Sequence, residues 1–318
     1  MFKVLVTGGT GLVGTAIKAV SQCYPQYEFK FVSSKDCNLC DEGAVNDMIS
    51  TYKPDAVIHL AAAVGGLFKN LAKKSEMFDQ NVKINTNVLS AFSKFDVGKV
   101  VSCLSTCVFP DKVTYPIKES MLHDGPPHHS NEGYAYAKRM LDVQSRMYRD
   151  SFNQNFICVI PTNIYGENDN FILQDAHVVP ALIHKCYIAK RDNTDLVVSG
   201  SGKPLRQFIY SKDLARLIMW ALESYNKAAP ITLCGGPESE ISIGEVAYEI
   251  AKAMDFKGNI VFDTTQADGQ YKKTACNAQL LSERGPVELT TMEVGLRRTV
   301  EWFMKNYEIG RASCRERV

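Results

Sequence analysis

A short β-favouring run, Phe2-Lys-Val-Leu-Val-Thr7, breaks at once into Gly8-Gly9-Thr10-Gly11-Leu12-Val13-Gly14, and an amphipathic stretch follows to Val20. Few folds accept that order, because a strand that turns directly into a helix needs residues without a Cβ at the bend. Gly8 permits the tight turn, Gly11 lets backbone approach a pyrophosphate, and Gly14 allows the helix to lie close on the strand. The N–H groups that open the helix, at Leu12, Val13 and Gly14, and the positive end of its dipole favour a phosphate there. In this context the motif points to a dinucleotide-binding α/β fold.

Strand and helix patterns keep alternating after it. Residues 29–32, 56–60, 99–102 and 156–160 read as further strands with helical stretches between them. Such alternation predicts a Rossmann-type, doubly wound parallel sheet. The second strand runs into Ser33-Ser34-Lys35, hydroxyls and a cation where an acid would hold the ribose 2′-hydroxyl of NAD. A 2′-phosphate, hence NADPH, is expected, although Asp36 and Asp41 stand near enough for a small register change to reverse that preference. Leu60-Ala61-Ala62 closes the third strand with small residues that let backbone lie against a flat ligand, and His59 inside that apolar strand reads as a core residue.

After Gly166 long polar loops set in. Residues 1–166 are expected to form mainly the NADP-binding domain, with a segment of about 205–235 returning to it, and 167–308 mainly a smaller C-terminal α/β substrate lobe. Ser211 and Ser242 stand where they could cap helices. Residues 309–318 are basic and without apolar period, and are expected to be a disordered or non-native tail.

Composition removes other classes. A net charge of +1 over 318 residues gives no electrostatic case for nucleic acid or an anionic membrane, and no apolar run is long enough for a bilayer. A cytoplasmic protein is expected. The 10 cysteines are scattered, several in apolar runs, as suits reduced thiols; Cys37-Asn-Leu-Cys40 lacks the further ligands of a zinc site, so no metal is expected.

The chemistry is carried by Tyr134-Ala-Tyr-Ala-Lys138. On a helix the two residues share a face, and an ammonium beside a phenol, whose ordinary pKa is about 10, favours phenolate. Ser105 falls at the C-terminal end of a central strand, where open α/β sheets bind ligands. In extended chain Ser105 and Cys107 point the same way, so both would face one crevice.

Thr7-Gly8-x-x-Gly11-x-x-Gly14, Ser105, Tyr134-x-x-x-Lys138 and Pro161-Thr162-Asn163 resemble the extended short-chain dehydrogenase/reductase superfamily. Within it, 61–68, 104–110, 163–166, 177–182 and 206–210 are similar to the 3,5-epimerase/4-reductases that turn GDP-4-keto-6-deoxy-mannose into GDP-L-fucose. The resemblance implies that Tyr134 donates a proton to the C4 oxygen, Lys138 tunes it and holds the nicotinamide ribose, Ser105 polarises the ketone, and Cys107 and His177 form the epimerase acid–base pair. It places the cofactor also against Leu104, Pro161, Thr162, Asn163, Ile164 and His177, and the nucleotide sugar against Asn163, Lys185, Ser199, Arg206, Asp268 and Lys272, with Lys185, Arg206, Lys272 and Lys273 as partners of the GDP pyrophosphate. It further implies a homodimer through the helices at 81–95 and 134–148. Ser199 departs from the family, which carries tryptophan there. A 4-epimerase or 4,6-dehydratase of the same superfamily is the alternative, but a dehydratase would carry acids after Ser105 where this chain has Thr106-Cys107-Val108. A non-catalytic NADP-binding scaffold would be expected to lose the tyrosine or the lysine, and both are present.

Overall fold

The computed structural model describes residues 1–266 and 268–307, so the tail expected at 309–318 lies outside the described residues. In chain order the elements are β1 (Phe2–Thr7), α1 (Leu12–Val20), β2 (Tyr27–Val32), α2 (Glu42–Tyr52), β3 (Ala56–His59), α3 (Leu67–Ala72), α4 (Lys74–Lys94) and β4 (Lys99–Cys103). Then come α5 (Glu132–Phe152), β5 (Asn155–Pro161), β6 (Asn163–Tyr165), α6 (Val178–Asp192), β7 (Leu196–Ser199), β8 (Leu205–Tyr210), α7 (Ser211–Ser224) and β9 (Ile231–Leu233). The chain closes with β10 (Glu240–Ser242), α8 (Ile243–Ala253), β11 (Ile260–Asp263), α9 (Ala278–Arg284) and α10 (Met292–Tyr307).

Six strands form one parallel sheet in the order β2-β1-β3-β4-β5-β9, which is the doubly wound architecture that the alternation predicts. The order reverses between β1 and β3, and the crevice beyond their C-terminal ends is the topological switch point where such sheets bind ligands. Strands β3 and β4 are buried throughout because helices cover both faces. One core joins the sheet to α2, α4 and α5, through residues such as Val45, Val88, Phe92 and Leu141. The other joins it to α1 and α7, through Ile17, Leu214 and Ile218. A third core, around Phe171, Ile183, Val246 and Phe303, belongs to the second lobe, with its own sheets β10-β8-β6 and β11-β7. Of the segment expected to return to the main sheet, α7 and β9 do so, whereas β8 pairs with β6 and β10.

Helix termini differ in part from the sequence expectation. Ser242 caps α8 in a reciprocal box with Glu245. Ser211 instead forms the first residue of α7, with Tyr210 at the cap and no side-chain cap bond. The reason is tertiary: Gly166, at the end of β6, approaches so closely that a Cβ on it would meet the Ser211 hydroxyl at 2.2 Å, so that side chain is packed and not turned back on its own helix.

A buried polar chain crosses the sheet. Ala61 N–H reaches Thr7 Oγ1 (3.4 Å), Thr7 Oγ1 meets His59 Nδ1 (2.8 Å), His59 Nε2 meets Asn85 Oδ1 (3.2 Å), and Asn85 Nδ2 donates to the Ala137 carbonyl (3.3 Å). His59 has no exposed surface, and burial together with the Lys138 charge pulls its pKa down to about 3. It therefore stays neutral in the folded protein while an unfolded histidine protonates near pH 6.5. Because the unfolded state binds the extra proton, stability is intact above about pH 6.5 and falls as the pH drops toward the folded pKa. From pH 6.5 to 5 this one residue should remove about 2 kcal/mol. Urea unfolding of wild type and His59→Gln at both pH values checks it: the variant's stability should fall less steeply with acid, and equal slopes would show that His59 is not the acid-sensitive group.

Candidate active site

The glycine turn is built as close packing requires. Gly8 adopts φ +70°, and a Cβ there would meet the Ala61 amide nitrogen at 2.9 Å, across the switch point. Gly14 sits so close that a Cβ would meet the Gly8 carbonyl oxygen at 2.5 Å. Gly11 starts α1 with no side-chain cap, which leaves Leu12, Val13 and Gly14 to present their amides to the crevice. These features fit a pyrophosphate: a cradle that side chains would fill, at a helix N-terminus.

The segment after β2 shows what becomes of the two nearby acids. Asp36 accepts from the Ser33 amide (2.8 Å) and hydroxyl (2.6 Å), and these bonds hold its carboxyl below the usual range. Asp41 caps α2 through Ala44 N (3.0 Å). Both carboxylates are thus engaged, while Ser34 and Lys35 are exposed beyond the strand end.

Lys138 is 2% exposed and donates to the Cys103 carbonyl at 2.7 Å, with its ammonium 5.8 Å from the Tyr134 ring centre. The position four residues on from Tyr134 delivers that proximity along α5. The electrostatic balance, however, is the reverse of the sequence expectation. Burial, with the Cys107 and Cys103 thiols, pushes the Tyr134 phenol well above its ordinary value. Burial also pulls the Lys138 ammonium down, against the pull of Cys103, Cys107 and Cys158. Desolvation wins because both groups sit among apolar residues and thiols. The phenol keeps its proton through the neutral range, as a proton donor must.

Ser105 is half-buried at the end of β4, extended at φ −160°. Cys107 does not continue an extended chain, as expected, but lies in a 3-10 turn over Thr106–Val108. The chain leaves the sheet at Cys103 and must turn before Pro110; the Cys107 amide reaches the Ser105 hydroxyl at 3.4 Å, so the two side chains are brought together by the turn. Cys107 is 5% exposed, and burial raises its thiol pKa against the opposing pull of Lys273, Ser105 and Lys138.

Further along, Thr162 buries its hydroxyl without a partner among the described residues, an orphan at the end of β5 that a ligand would satisfy. Asn163 donates to the Gln207 carbonyl (2.8 Å) beside Ile164 on β6. His177 stands exposed at the cap of α6. Its loop is tied to the turn after β3, since Gly66 N donates to Asp175 O (3.1 Å) and Lys69 pairs with Asp175 (3.8 Å). In the second lobe Lys185 donates to Ser199 Oγ (3.2 Å), and Asp268 accepts from Ser201 N (2.6 Å) and Oγ (2.8 Å). Arg206 directs its guanidinium onto the Leu205, Gln270 and Tyr271 carbonyls and, among the described residues, meets no carboxylate. Lys272 is instead paired with Glu240 at 3.2 Å and packed over the Tyr115 ring.

Sequence reading gave no role to Asn81 or Thr7. Asn81 accepts from Ala63 N and donates to Ala63 O, both at 3.0 Å, and so fixes the backbone after β3. A polar residue on the inner face of a long helix was its only signal.

The sequence pattern that defines the NAD dependent epimerase/dehydratase family matches residues 4–235. The chain is 52% identical to a GDP-L-fucose synthase of Dictyostelium discoideum over 97% of each chain. It is 46% identical to a probable GDP-L-fucose synthase of Drosophila melanogaster, with 98% of this chain and all of that one covered. A crystal structure of a GDP-L-fucose synthetase from Naegleria fowleri bound to NADP superposes with a TM-score of 0.91 at 48% identity, covering 98% of this chain and 96% of that one.

An ammonium held in so dry a place opposes folding. Lys138→Met should therefore raise the stability of the ligand-free protein, by about 1 kcal/mol, while removing activity. Chemical denaturation checks this; a destabilised variant would mean that the Cys103 bond outweighs desolvation.

Proposed function

The chain belongs to the NAD dependent epimerase/dehydratase family and, within it, to the GDP-L-fucose synthases; on that premise we propose that it converts GDP-4-keto-6-deoxy-mannose into GDP-L-fucose. The reaction is epimerisation at C3 and C5 followed by NADPH-dependent reduction at C4. The single observation that carries the reading is the convergence of Ser105, Cys107, Tyr134 and Lys138 at the C-terminal end of β4, beside the switch point.

NADPH supplies the hydride when bound. Its pyrophosphate would lie on Gly8, Gly11 and the amides of Leu12, Val13 and Gly14, and its 2′-phosphate against Ser33, Ser34 and Lys35. Leu60, Ala61, Ala62, Leu104 and residues 161–164 would flank the rest.

The chemistry of the keto-sugar follows from its own acidity. The protons at C3 and C5 are labile only through the C4 ketone, so an enolate must form and be held. The Ser105 hydroxyl and the Tyr134 phenol, a donor that stays protonated, provide for the charge on that oxygen. Cys107 on one face and His177 on the other exchange carbon-bound protons with inversion. Tyr134 then gives its proton to the C4 oxygen as reduction completes, with Lys138 offsetting the phenolate. One pocket serves both reactions.

Arg206, without an acidic partner among the described residues, suits the GDP diphosphate, and Lys185 with Ser199 and Asp268 lie around the same lobe. Lys272 fits less well than the sequence suggests, since Glu240 already neutralises it. Residues 1–166 with α7 and β9 would bind the dinucleotide, and the remainder the nucleotide sugar. We also propose a cytoplasmic homodimer through α4 and α5, supported by the exposed Phe78, Met140, Met147 and Phe152 on those helices.

Product analysis with the keto-sugar and NADPH, compared with NADH, tests the function: GDP-L-fucose should accumulate with one NADPH consumed per turnover. Turnover without net NADPH oxidation would refute it. Tyr134→Phe should lower reduction by ~10²–10⁴, and Cys107→Ser should suppress solvent deuterium entry at C3 and C5 with NADPH affinity unchanged. Near-wild-type reduction, or undiminished exchange, would remove the respective residue from its role. In calorimetric titrations Arg206→Met should weaken GDP about tenfold and Lys272→Met less than about twofold, and the opposite ranking would restore Lys272 as the main contact.

A further inference from the structure

Two consecutive residues of α5 grip the chain on either side of Ser105 and Cys107. Lys138 donates to the Cys103 carbonyl at 2.7 Å, and Arg139 Nε donates to the Val108 carbonyl at 2.6 Å. The first end is held by the sheet as well, since the Leu104 amide donates to the Val159 carbonyl (2.8 Å). The second end lies beyond the sheet. There the 3-10 turn closes on itself through Val108 N to Ser105 O (3.0 Å) and Phe109 N to Thr106 O (3.3 Å), and a turn so short leaves its last carbonyls without a partner along the chain. Val108 has no exposed surface, so its carbonyl needs a donor from elsewhere in the protein. Arg139 supplies it. The guanidinium is poorly served in return: Arg139 is 5% exposed, its Nη2 is buried without a hydrogen-bond partner, and it pairs with no carboxylate among the described residues. The Tyr136 ring, 5.5 Å from the guanidinium carbon, faces it from the same helix. A charge placed in this way opposes folding, and its hydrogen bond leads into the Cys107 turn.

We propose that Arg139 is a positioning residue for the epimerase half of the reaction, setting the Cys107 turn against the helix that carries Tyr134 and Lys138. Released from Arg139, the turn can swing about the anchored Leu104 and carry the sulfur away from the carbon it must deprotonate. A misplacement of about 1 Å costs on the order of 10²-fold in rate. Tyr134 and Lys138 stay where α5 puts them, and Ser105 adjoins the end that Leu104 anchors. Hydride transfer at C4 is therefore less exposed to the loss than proton exchange at C3 and C5. The inference rests on the proposed function for its sugar chemistry, but the rigidity of the turn can be read without any sugar.

The test compares wild type with Arg139→Met and Arg139→Gln. Glutamine carries its amide nitrogen on Cδ, as arginine carries Nε, and so keeps a donor at that place without the charge; methionine puts a methyl group there. In Arg139→Met, deuterium entry at C3 and C5 of the keto-sugar without NADPH should fall about thirtyfold, whereas oxidation of GDP-L-fucose by NADP, which uses Tyr134 and not Cys107, should fall less than about threefold. Amide hydrogen exchange over 107–109 of the ligand-free protein should quicken about tenfold, with 99–103 unchanged. Arg139→Gln should stay within about threefold of wild type in all three measurements. Equal losses of deuterium entry and oxidation in Arg139→Met, or unchanged protection of 107–109, would overturn the proposal. So would Arg139→Gln as impaired as Arg139→Met, because charge and not the bond would then be responsible. If Arg139→Met does not fold, Arg139→Gln still decides, since a loss of about tenfold in deuterium entry with the donor kept overturns the proposal. A wild type that takes no deuterium into the keto-sugar would instead count against the proposed function, with the protection of 107–109 still deciding Arg139.

Discussion

The hydrogen-bond chain Thr7–His59–Asn85–Ala137 fixes the glycine turn relative to the helix that carries Tyr134 and Lys138. It runs in one direction, each group donating to the next, so every member is satisfied only when all are in place. Its ends matter. Thr7 is the last residue before the glycine turn, and Ala137 precedes Lys138 on α5. A neutral histidine in an apolar strand therefore does more than fill space. It sets the distance from the phosphate cradle to the helix that carries the phenol and the ammonium, and a protonated ring would break the sequence of donors.

Around that frame, dryness dominates charge. Tyr134, Lys138 and Cys107 all sit where burial disfavours the ionised form; at Tyr134 the thiols add to it, at Lys138 the thiols oppose it, and at Cys107 Lys273, Ser105 and Lys138 oppose it. In water such weak partners would do little; in a low dielectric they moderate the burial penalty without reversing it. The arrangement makes the phenol an acid by default and favours the protonated sulfur as well. A pair of reactions on one ketone needs such donors, since the oxygen must be held while carbon loses a proton.

How much of this was readable from the chain depends on range. The glycine turn and the parallel strands announce themselves locally, because a missing Cβ and an apolar run have one structural use each. Ser105 and Cys107 were legible as a pair, but their geometry was not: extended chain was the simplest extrapolation from β4, and the 3-10 turn is imposed by the departure toward Pro110. Ser211 looked like a cap because hydroxyls usually are, yet the tertiary approach of Gly166 claims its side chain. Lys272 and Lys273 are equivalent in sequence. Only Glu240, brought in on β10 from 32 residues upstream, tells them apart.

The same limit explains how two lobes with separate cores can serve one pocket. Gln207 on β8 is fully buried, accepts the Ala275 amide at 2.8 Å, and donates to the carbonyls of Gly235, Gly236 and Ala275. Its own carbonyl takes the Asn163 carboxamide. One side chain thus ties β6, β8, the exit of β9 and the segment bearing Lys273. A buried amide with every site engaged tolerates no slippage, because any shift leaves an unpaired polar group in the interior. The second lobe's segment around Ala275 is consequently held at a position fixed by the first lobe's sheet edge.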